Sequence, residues 1–221
     1  MARSIMIIGN GAIETGLAPV IDAADVVMRF NDCRSVGTGG QKTDIVAVCN
    51  TGRPGRRMAQ EAGWKNNPSV RSACAIWCVR DPQKFAAMRA PLAISHPELD
   101  DFCDDYTDAI ADFCAGSDKE LYVVPAATHD HLDRQLAAYD PAPYVVPSTG
   151  LVAISEVLGA FSAPGGFAWP DLATRAGNGI HGRPSGAGWR NGLPKAGFSI
   201  CTILPVTVTC LTIMRECKET S

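Results

Sequence analysis

The sequence predicts an α/β protein with a mostly parallel β-sheet and helices on both faces. Short apolar runs rich in Ile and Val alternate with longer segments of helical character, which is the pattern of a parallel sheet covered by helices. A hydrophobic fraction of 46% and a charged fraction of 19% are typical of a folded globular protein. The 221 residues suffice for one sizeable domain and a smaller appendage.

Seven short apolar runs are predicted as strands. They cover residues 4–8, 25–30, 44–49, 74–79, 92–95, 121–124 and 144–146. Five segments with helical character are predicted at residues 56–62, 82–89, 99–115, 129–139 and 150–161. The loops that follow the strands are expected to collect at one edge of the sheet, where open α/β sheets bind their ligands.

The character of the sequence changes near residue 165. Residues 165–197 hold nine of the 21 glycines but only one carboxylate, Asp171. We therefore predict an α/β domain over residues 1–164 and a Gly-rich tail over residues 165–221, for which a non-native or disordered state stays open.

Charge and hydropathy exclude several classes of protein. A net charge of −3 provides no strong field to recruit nucleic acid or an anionic membrane. The apolar run near the first residue is too short for a signal-peptide core, so a cytoplasmic protein is expected. Residues 196–214 are uncharged, yet their β-branched residues and Pro205 suit strands better than a membrane-spanning helix.

Neither the cysteines nor the acidic residues predict a metal site. The nine cysteines have no CxxC spacing, which argues against a disulfide framework and a zinc ribbon. The acidic residues between positions 98 and 120 spread around a predicted helix and do not converge.

Three motifs follow predicted strands, and the first is Gly9-Asn10-Gly11. Glycines at the end of a strand let backbone N–H groups approach a phosphate. The motif departs from the dinucleotide-binding fingerprint because Glu14 stands where the third glycine belongs. A tight structural turn is an equally good interpretation.

The second motif opens with Arg29, Asn31 and Asp32 and continues into a Gly-rich bend with Lys42 and Asp44. An Asn at the carboxyl end of a strand can offer a ligand both a donor and an acceptor. An Asx-type turn is the structural alternative.

The third motif is Pro-Ser-Thr-Gly at residues 147–150. Ser148 and Thr149 stand where a helix N-cap is expected. Capping needs only one hydroxyl, whereas two hydroxyls and Gly150 beside exposed N–H groups also suit a small anion.

Together the motifs resemble the sialyltransferase superfamily, glycosyltransferase family 29, and in particular its compact bacterial relatives, some of which are described as urease operon accessory proteins. The family's long motif is matched by residues 9–11, Asp22, Asp25, Arg29, Asn31 and 37–44, and its short motif by residues 147–150. The resemblance covers roughly residues 4–160.

The resemblance implies a Rossmann-like, metal-independent glycosyltransferase with a CMP-activated sugar donor, a glycan acceptor and no further cofactor. It places the binding of the donor at Gly9, Asn10, Gly11, Asn31, Ser148, Thr149 and Gly150.

The catalytic histidines of that family should follow the short motif, yet none is recognisable, so the catalytic residues stay unknown and the chain is expected to be catalytically impaired. A shifted reading frame of the tail allows Gly-Phe-Gly-His and then His-Pro-Trp, which suggests a frameshift near residues 160–166. A genuine flexible Gly-rich arm is the alternative. His129 and His131 point apart on a predicted helix and are expected at its surface.

Two other functions stay open from the sequence. One is a non-catalytic accessory or binding protein of the urease-operon type. The weaker one is a Rossmann-type dinucleotide-binding oxidoreductase, which the missing third glycine and the absence of an acidic residue at the end of the second strand disfavour.

Overall fold

The computed structural model describes residues 4–141, 144–162 and 199–201. Its strands are β1 (Ser4–Ile8), β2 (Val26–Phe30), β3 (Ile45–Val48), β4 (Ala75–Cys78), β5 (Glu120–Val123) and β6 (Ser199–Cys201). They form one sheet in the order β5-β4-β3-β2-β1-β6, and every neighbouring pair runs parallel.

The helices of the described residues connect or cover these strands. They are α1 (Ala18–Asp22), α2 (Gly52–Gln60), α3 (Ala62–Lys65), α4 (Pro68–Ser72), α5 (Pro82–Ser95), α6 (Thr107–Gly116), α7 (Ala126–Ala137) and α8 (Thr149–Ser162), with a 3-10 turn at Pro97–Leu99. Local chemistry fixes several starts. Asp81, for example, accepts a hydrogen bond from Lys84 N at 2.8 Å, and Pro82 opens α5 in a position where proline is pre-organised for a helix.

Alternate residues of the strands bury apolar clusters on both faces of the sheet; besides two larger cores, a smaller cluster includes Met6, Val27 and Ile21. The first core joins the strands to α7 and α8 and includes Ile7, Met28, Trp77, Leu132 and Val157. The second joins them to α2, α3 and α6 and includes Val46, Ile76, Met58, Trp64 and Ile110. Strands buried on both faces form continuous apolar runs in a sequence, and the predicted fold class is confirmed.

Two predicted strands are wrong. Residues 92–95 form the last turn of α5, because that helix buries Phe85 and Leu92, two turns apart, on one face. Residues 144–146 are not a strand. A side chain stabilises the end of this segment, since Arg80 Nη1 donates to the carbonyl of the next residue, Pro147, at 3.2 Å.

The helix predicted at residues 99–115 begins later than expected. Asp105 forms an isolated bridge with Thr51, and its Oδ1 accepts from both the amide and the hydroxyl of Thr107, at 3.0 and 2.6 Å, so α6 begins only at Thr107. Sequence analysis did not predict α1, α3 or α4, because four or five residues are too few to show a helical period.

The predicted tail at residues 165–221 and its suspected frameshift lie outside the described residues, except for Ser199–Cys201, whose backbone pairs with β1. Among the described residues, no helix combines the length and the apolar character that a membrane crossing requires.

Candidate functional site

The three predicted motifs meet at the carboxyl edge of the sheet. Residues 9–11 follow the last residue of β1, and Asn31 follows Phe30, the last residue of β2. The start of α8 lies against the same edge, because a Cβ on Gly150 would stand 3.9 Å from Phe30 Cζ. Parallel strands thus bring together segments that are more than a hundred residues apart in sequence.

Asn31 is the central residue of this edge. Its φ of +45° is left-handed, a conformation that Asn tolerates better than most residues. Its Oδ1 accepts from Cys49 N at 2.9 Å, and its carbonyl accepts from Trp64 Nε1 at 2.9 Å. Within the described residues its Nδ2 makes no hydrogen bond, so one amide donor stays available to a ligand.

Asn10 connects the loop after β1 to the loop after β2. Its Oδ1 accepts from Arg34 N at 3.0 Å. A Cβ on the flanking Gly9 or Gly11 would meet nothing within 4 Å, and neither glycine has a positive φ. Local packing therefore does not require glycine at either position, and the space above this turn is open.

Ser148 caps α8. Its Oγ accepts from Leu151 N at 3.2 Å, as the N-cap position predicts. Thr149 and Gly150 are the first residues of the helix, where backbone N–H groups have no acceptor within the helix. This first turn lies at the same edge as Asn31, since Gly150 is close to Phe30.

A buried arginine organises the loop between β2 and β3. Arg29 is completely buried. It donates to four acceptors, namely Lys42 O at 3.0 Å, Thr43 Oγ1 at 3.1 Å, Ser35 Oγ at 3.1 Å and Gly39 O at 2.7 Å. Since these bonds span nine residues of one loop, Arg29 sets the shape of the loop.

Asp22 also stabilises the loop between β2 and β3. It accepts from the amides of Gln41 and Lys42, both at 2.9 Å. Burial opposes ionisation, but these backbone bonds lower the pKa of Asp22. Gly40 has a φ of +81°, and a Cβ there would lie 2.4 Å from Asp22 Oδ1, so only glycine fits.

Asn50 is a polar residue of this edge that sequence analysis missed. It follows β3, is completely buried, and pairs with both backbone groups of Arg80, at 2.8 and 2.9 Å. Its Nδ2 also donates to Thr107 Oγ1 at 2.7 Å. Its position in the sequence could have indicated this residue. Asn50 lies just after β3, as Asn31 lies just after β2.

The side chain of Arg80 is buried, and within the part of the chain that the structure describes it has no acidic partner. It is 5% exposed, its Cζ lies 4.9 Å from the centroid of the Phe85 ring, and its Nη1 donates to Pro147 O. In the described part of the chain its Nε has no hydrogen-bond partner, and no ion pair involves it.

Beside Arg80, a cleft of about 420 Å³ lies between α5, α7 and residues 145–147. Its lining includes Lys84, Met88, Leu92, His129, Asp133 and Val146. The cleft is mostly apolar with a few polar groups, which is the usual character of a small-molecule site.

His129 differs from its predicted surface position, since it is 1% exposed. Neither ring nitrogen has a hydrogen-bond partner among the described residues. Burial, followed by the charge of Arg80, lowers the pKa of His129, and an interaction with the Val79 backbone partly opposes this. The described residues contain no group of three or more metal-ligating side chains.

Comparison with known proteins identifies one relative at high identity. No protein-family model matches the chain. The chain is 54% identical over 163 residues to a protein of Rhizobium meliloti (strain 1021) described as a urease operon 23 kDa accessory protein. The match covers 74% of this chain and 76% of that protein.

This finding corrects the main functional prediction. The description of the relative supports neither a sialyltransferase-like glycosyltransferase nor a nucleotide-sugar donor and glycan acceptor as partners. Those predictions are wrong, and the accessory alternative is favoured. Local contacts give the physical reason for the misleading motifs, because the side-chain oxygens of Asn10, Asn31 and Ser148 accept from backbone amides in turns and a cap.

Proposed function

Because the chain belongs to the family of the urease operon 23 kDa accessory protein, we propose that it is itself a urease accessory protein, which supports active urease by binding and not by catalysis. The observation that carries the proposal is the 54% identity over 163 residues. Among the described residues, the polar groups at the carboxyl edge stabilise turns and loops. This arrangement is compatible with a binding role.

The state of the histidines supports the same proposal. A general base needs reach to a substrate and a pKa close to the working pH. His129 is buried and its pKa is lowered, while His96 lies beside the hydroxyl of Ser95, 2.9 Å from its Nδ1, far along the chain from the three motifs. Neither histidine belongs to one of the three motifs.

The predicted binding residues stay part of the proposal, with a small anion in place of the sugar nucleotide. Gly9, Asn10, Gly11, Asn31, Ser148, Thr149 and Gly150 would surround it. The supporting features are the open space at residues 9–11, the Nδ2 donor of Asn31, and the first-turn amides of the 14-residue helix α8, whose N-terminus favours negative charge.

The accessory role is tested by an in-frame deletion of the gene in its host, which leaves the neighbouring genes intact. We expect less urease activity per unit of urease protein, restored by the wild-type gene. Unchanged specific activity in the deletion strain would overturn the proposal.

The anion site is tested separately with inorganic phosphate and the Asn31→Asp variant. Aspartate keeps the acceptor for Cys49 N and removes the Nδ2 donor, so phosphate binding should weaken at least about tenfold while the protein stays folded. Asn66→Asp, on an exposed residue at the end of α3, is the matched control. Equal phosphate affinity of Asn31→Asp and Asn66→Asp would show that Asn31 has only a structural role.

A further inference from the structure

From the cleft between α5 and α7 we infer a second binding site, for a small monocarboxylate with an apolar body, and this site does not depend on the proposed urease function. Its apolar walls are Met88, Leu92 and Val146, and its polar groups are Lys84 and His129. The volume of about 420 Å³ lies in the range of about 300–1,000 Å³ found for small-molecule sites.

Unsatisfied buried polar atoms beside the cleft indicate a missing partner. Buried polar groups in proteins are nearly always hydrogen-bonded. Within the described residues Arg80 Nε lacks a hydrogen-bond partner, and so do both ring nitrogens of His129, apart from an interaction of that ring with the Val79 backbone. The two side chains lie on the same ring, because Arg80 Cζ is 4.9 Å from the Phe85 centroid and the His129 ring is 5.9 Å from it, edge-on.

The charges around the cleft favour one negative charge on the ligand. Among the described residues Arg80 is buried with no carboxylate partner, and an uncompensated charge is costly to bury. Lys84 lines the cleft and pairs with Asp130 at 2.6 Å and Asp133 at 3.3 Å, which leaves one of its three ammonium protons for a further acceptor. Asp133 also lines the cleft and disfavours a doubly charged phosphate, so a monocarboxylate fits better.

The apolar lining requires more than a charged group. Ala87, Met88, Pro91 and Leu92 follow one another along α5, and Val145–Pro147 face them. A ligand with a hydrocarbon body would cover this surface, at about 25 cal/mol per Å² of apolar area removed from water. A carboxylate without such a body would gain little there.

Hexanoate is a suitable probe for the full chain, with two matched compounds that each remove one feature. Hexanamide keeps the body and lacks the charge, and acetate keeps the charge and lacks the body. By isothermal titration calorimetry we expect hexanoate to bind at least about tenfold more tightly than either compound. Equal binding of hexanamide would overturn the assignment of a carboxylate, and no binding of hexanoate would overturn the site.

Two substitutions on α5 test whether hexanoate binds in the cleft. Ala87 is exposed yet lines the cleft, so Ala87→Phe should fill the cleft and reduce hexanoate affinity at least about tenfold without disturbing the core. Ala86→Phe changes an exposed neighbour outside the lining and should bind hexanoate like wild type. Equal affinities in the two variants would place hexanoate elsewhere and overturn the proposal.

Discussion

Replacing Arg29 by methionine should lower the free energy of unfolding by about 4 kcal/mol. The side chain is completely buried and donates to the carbonyls of Lys42 and Gly39, at 3.0 and 2.7 Å, and to the hydroxyls of Ser35 and Thr43. Methionine fills most of the volume but donates no hydrogen bond.

The magnitude follows from the two carbonyls. Neither has another donor in the described residues, and each buried unsatisfied acceptor costs about 1–3 kcal/mol. The two hydroxyls can reorient, so they are not counted in the sum. The sum is roughly 2–6 kcal/mol, which for a chain of this size lowers the melting temperature by about 2–4 °C per kcal/mol.

Urea unfolding measures this loss, and amide hydrogen exchange should show that the amides of Gly37 and Gly39 exchange faster. Arg34→Met is the matched control, because the Arg34 side chain is 63% exposed and lies 3.8 Å from Asp32. A surface pair of this kind contributes at most about 1 kcal/mol. A loss for Arg29→Met below about 1 kcal/mol, or equal to that of the control, would refute the scaffold role.

Three further predictions concern the loop, the buried histidine and the gene. Gly40→Ala should lower the free energy of unfolding by about 2 kcal/mol in urea titrations, because its Cβ would clash with Asp22 Oδ1, whereas Gly9→Ala should change it by less than about 0.5 kcal/mol. His129 has a lowered pKa in the fold, so the unfolded chain binds a proton first. Stability should therefore be full above the unfolded pKa of about 6.5 and fall as pH decreases below it, and urea titrations of His129→Phe should lack this part of the pH dependence. Sequencing the gene should reveal, near codons 160–166, a shifted frame that continues the similarity to the Rhizobium meliloti protein; an uninterrupted native frame with no such continuation contradicts the frameshift.

The central strands were predictable because each is buried on both faces and so is apolar along its whole length. The same signal failed at residues 92–95, where the last turn of a 14-residue helix is equally apolar and short runs do not distinguish strand from helix. The meeting of the motifs at one edge was predictable from topology. Loops that follow parallel strands collect at one edge of the sheet, and the motifs were predicted to follow strands or to begin a helix.

The cleft was not predictable, because it joins three segments that no local pattern connects. Lys84 and Met88 come from α5, His129 from α7, and Val146 from a loop. The burial of His129 depends on packing against Phe85, a contact across 44 residues of sequence. The sequence predicted a surface position for His129 only because it stands two residues from His131 on a helix; in the structure Asp130 and His131 are exposed and His129 is not.

The motif resemblance misled because residues that shape a loop and residues that bind a ligand can have the same sequence pattern. Arg29 and Asp22 donate to or accept from backbone groups of the β2–β3 loop, and Asp44 accepts from Val27 N at 2.7 Å. Such bonds preserve a loop whatever that loop binds, since function resides in sites and not in the scaffold.

Asn31 allows the structural and the binding role to be tested separately, because its Oδ1 stabilises the loop and its Nδ2 does not. If Asn31→Asp keeps the free energy of unfolding within about 1 kcal/mol of wild type and loses phosphate binding, the amide donor has a binding role. If Asn31→Asp unfolds as readily as Asn31→Ala and binds phosphate as before, the whole residue is scaffold, and the anion site must be sought elsewhere on the edge.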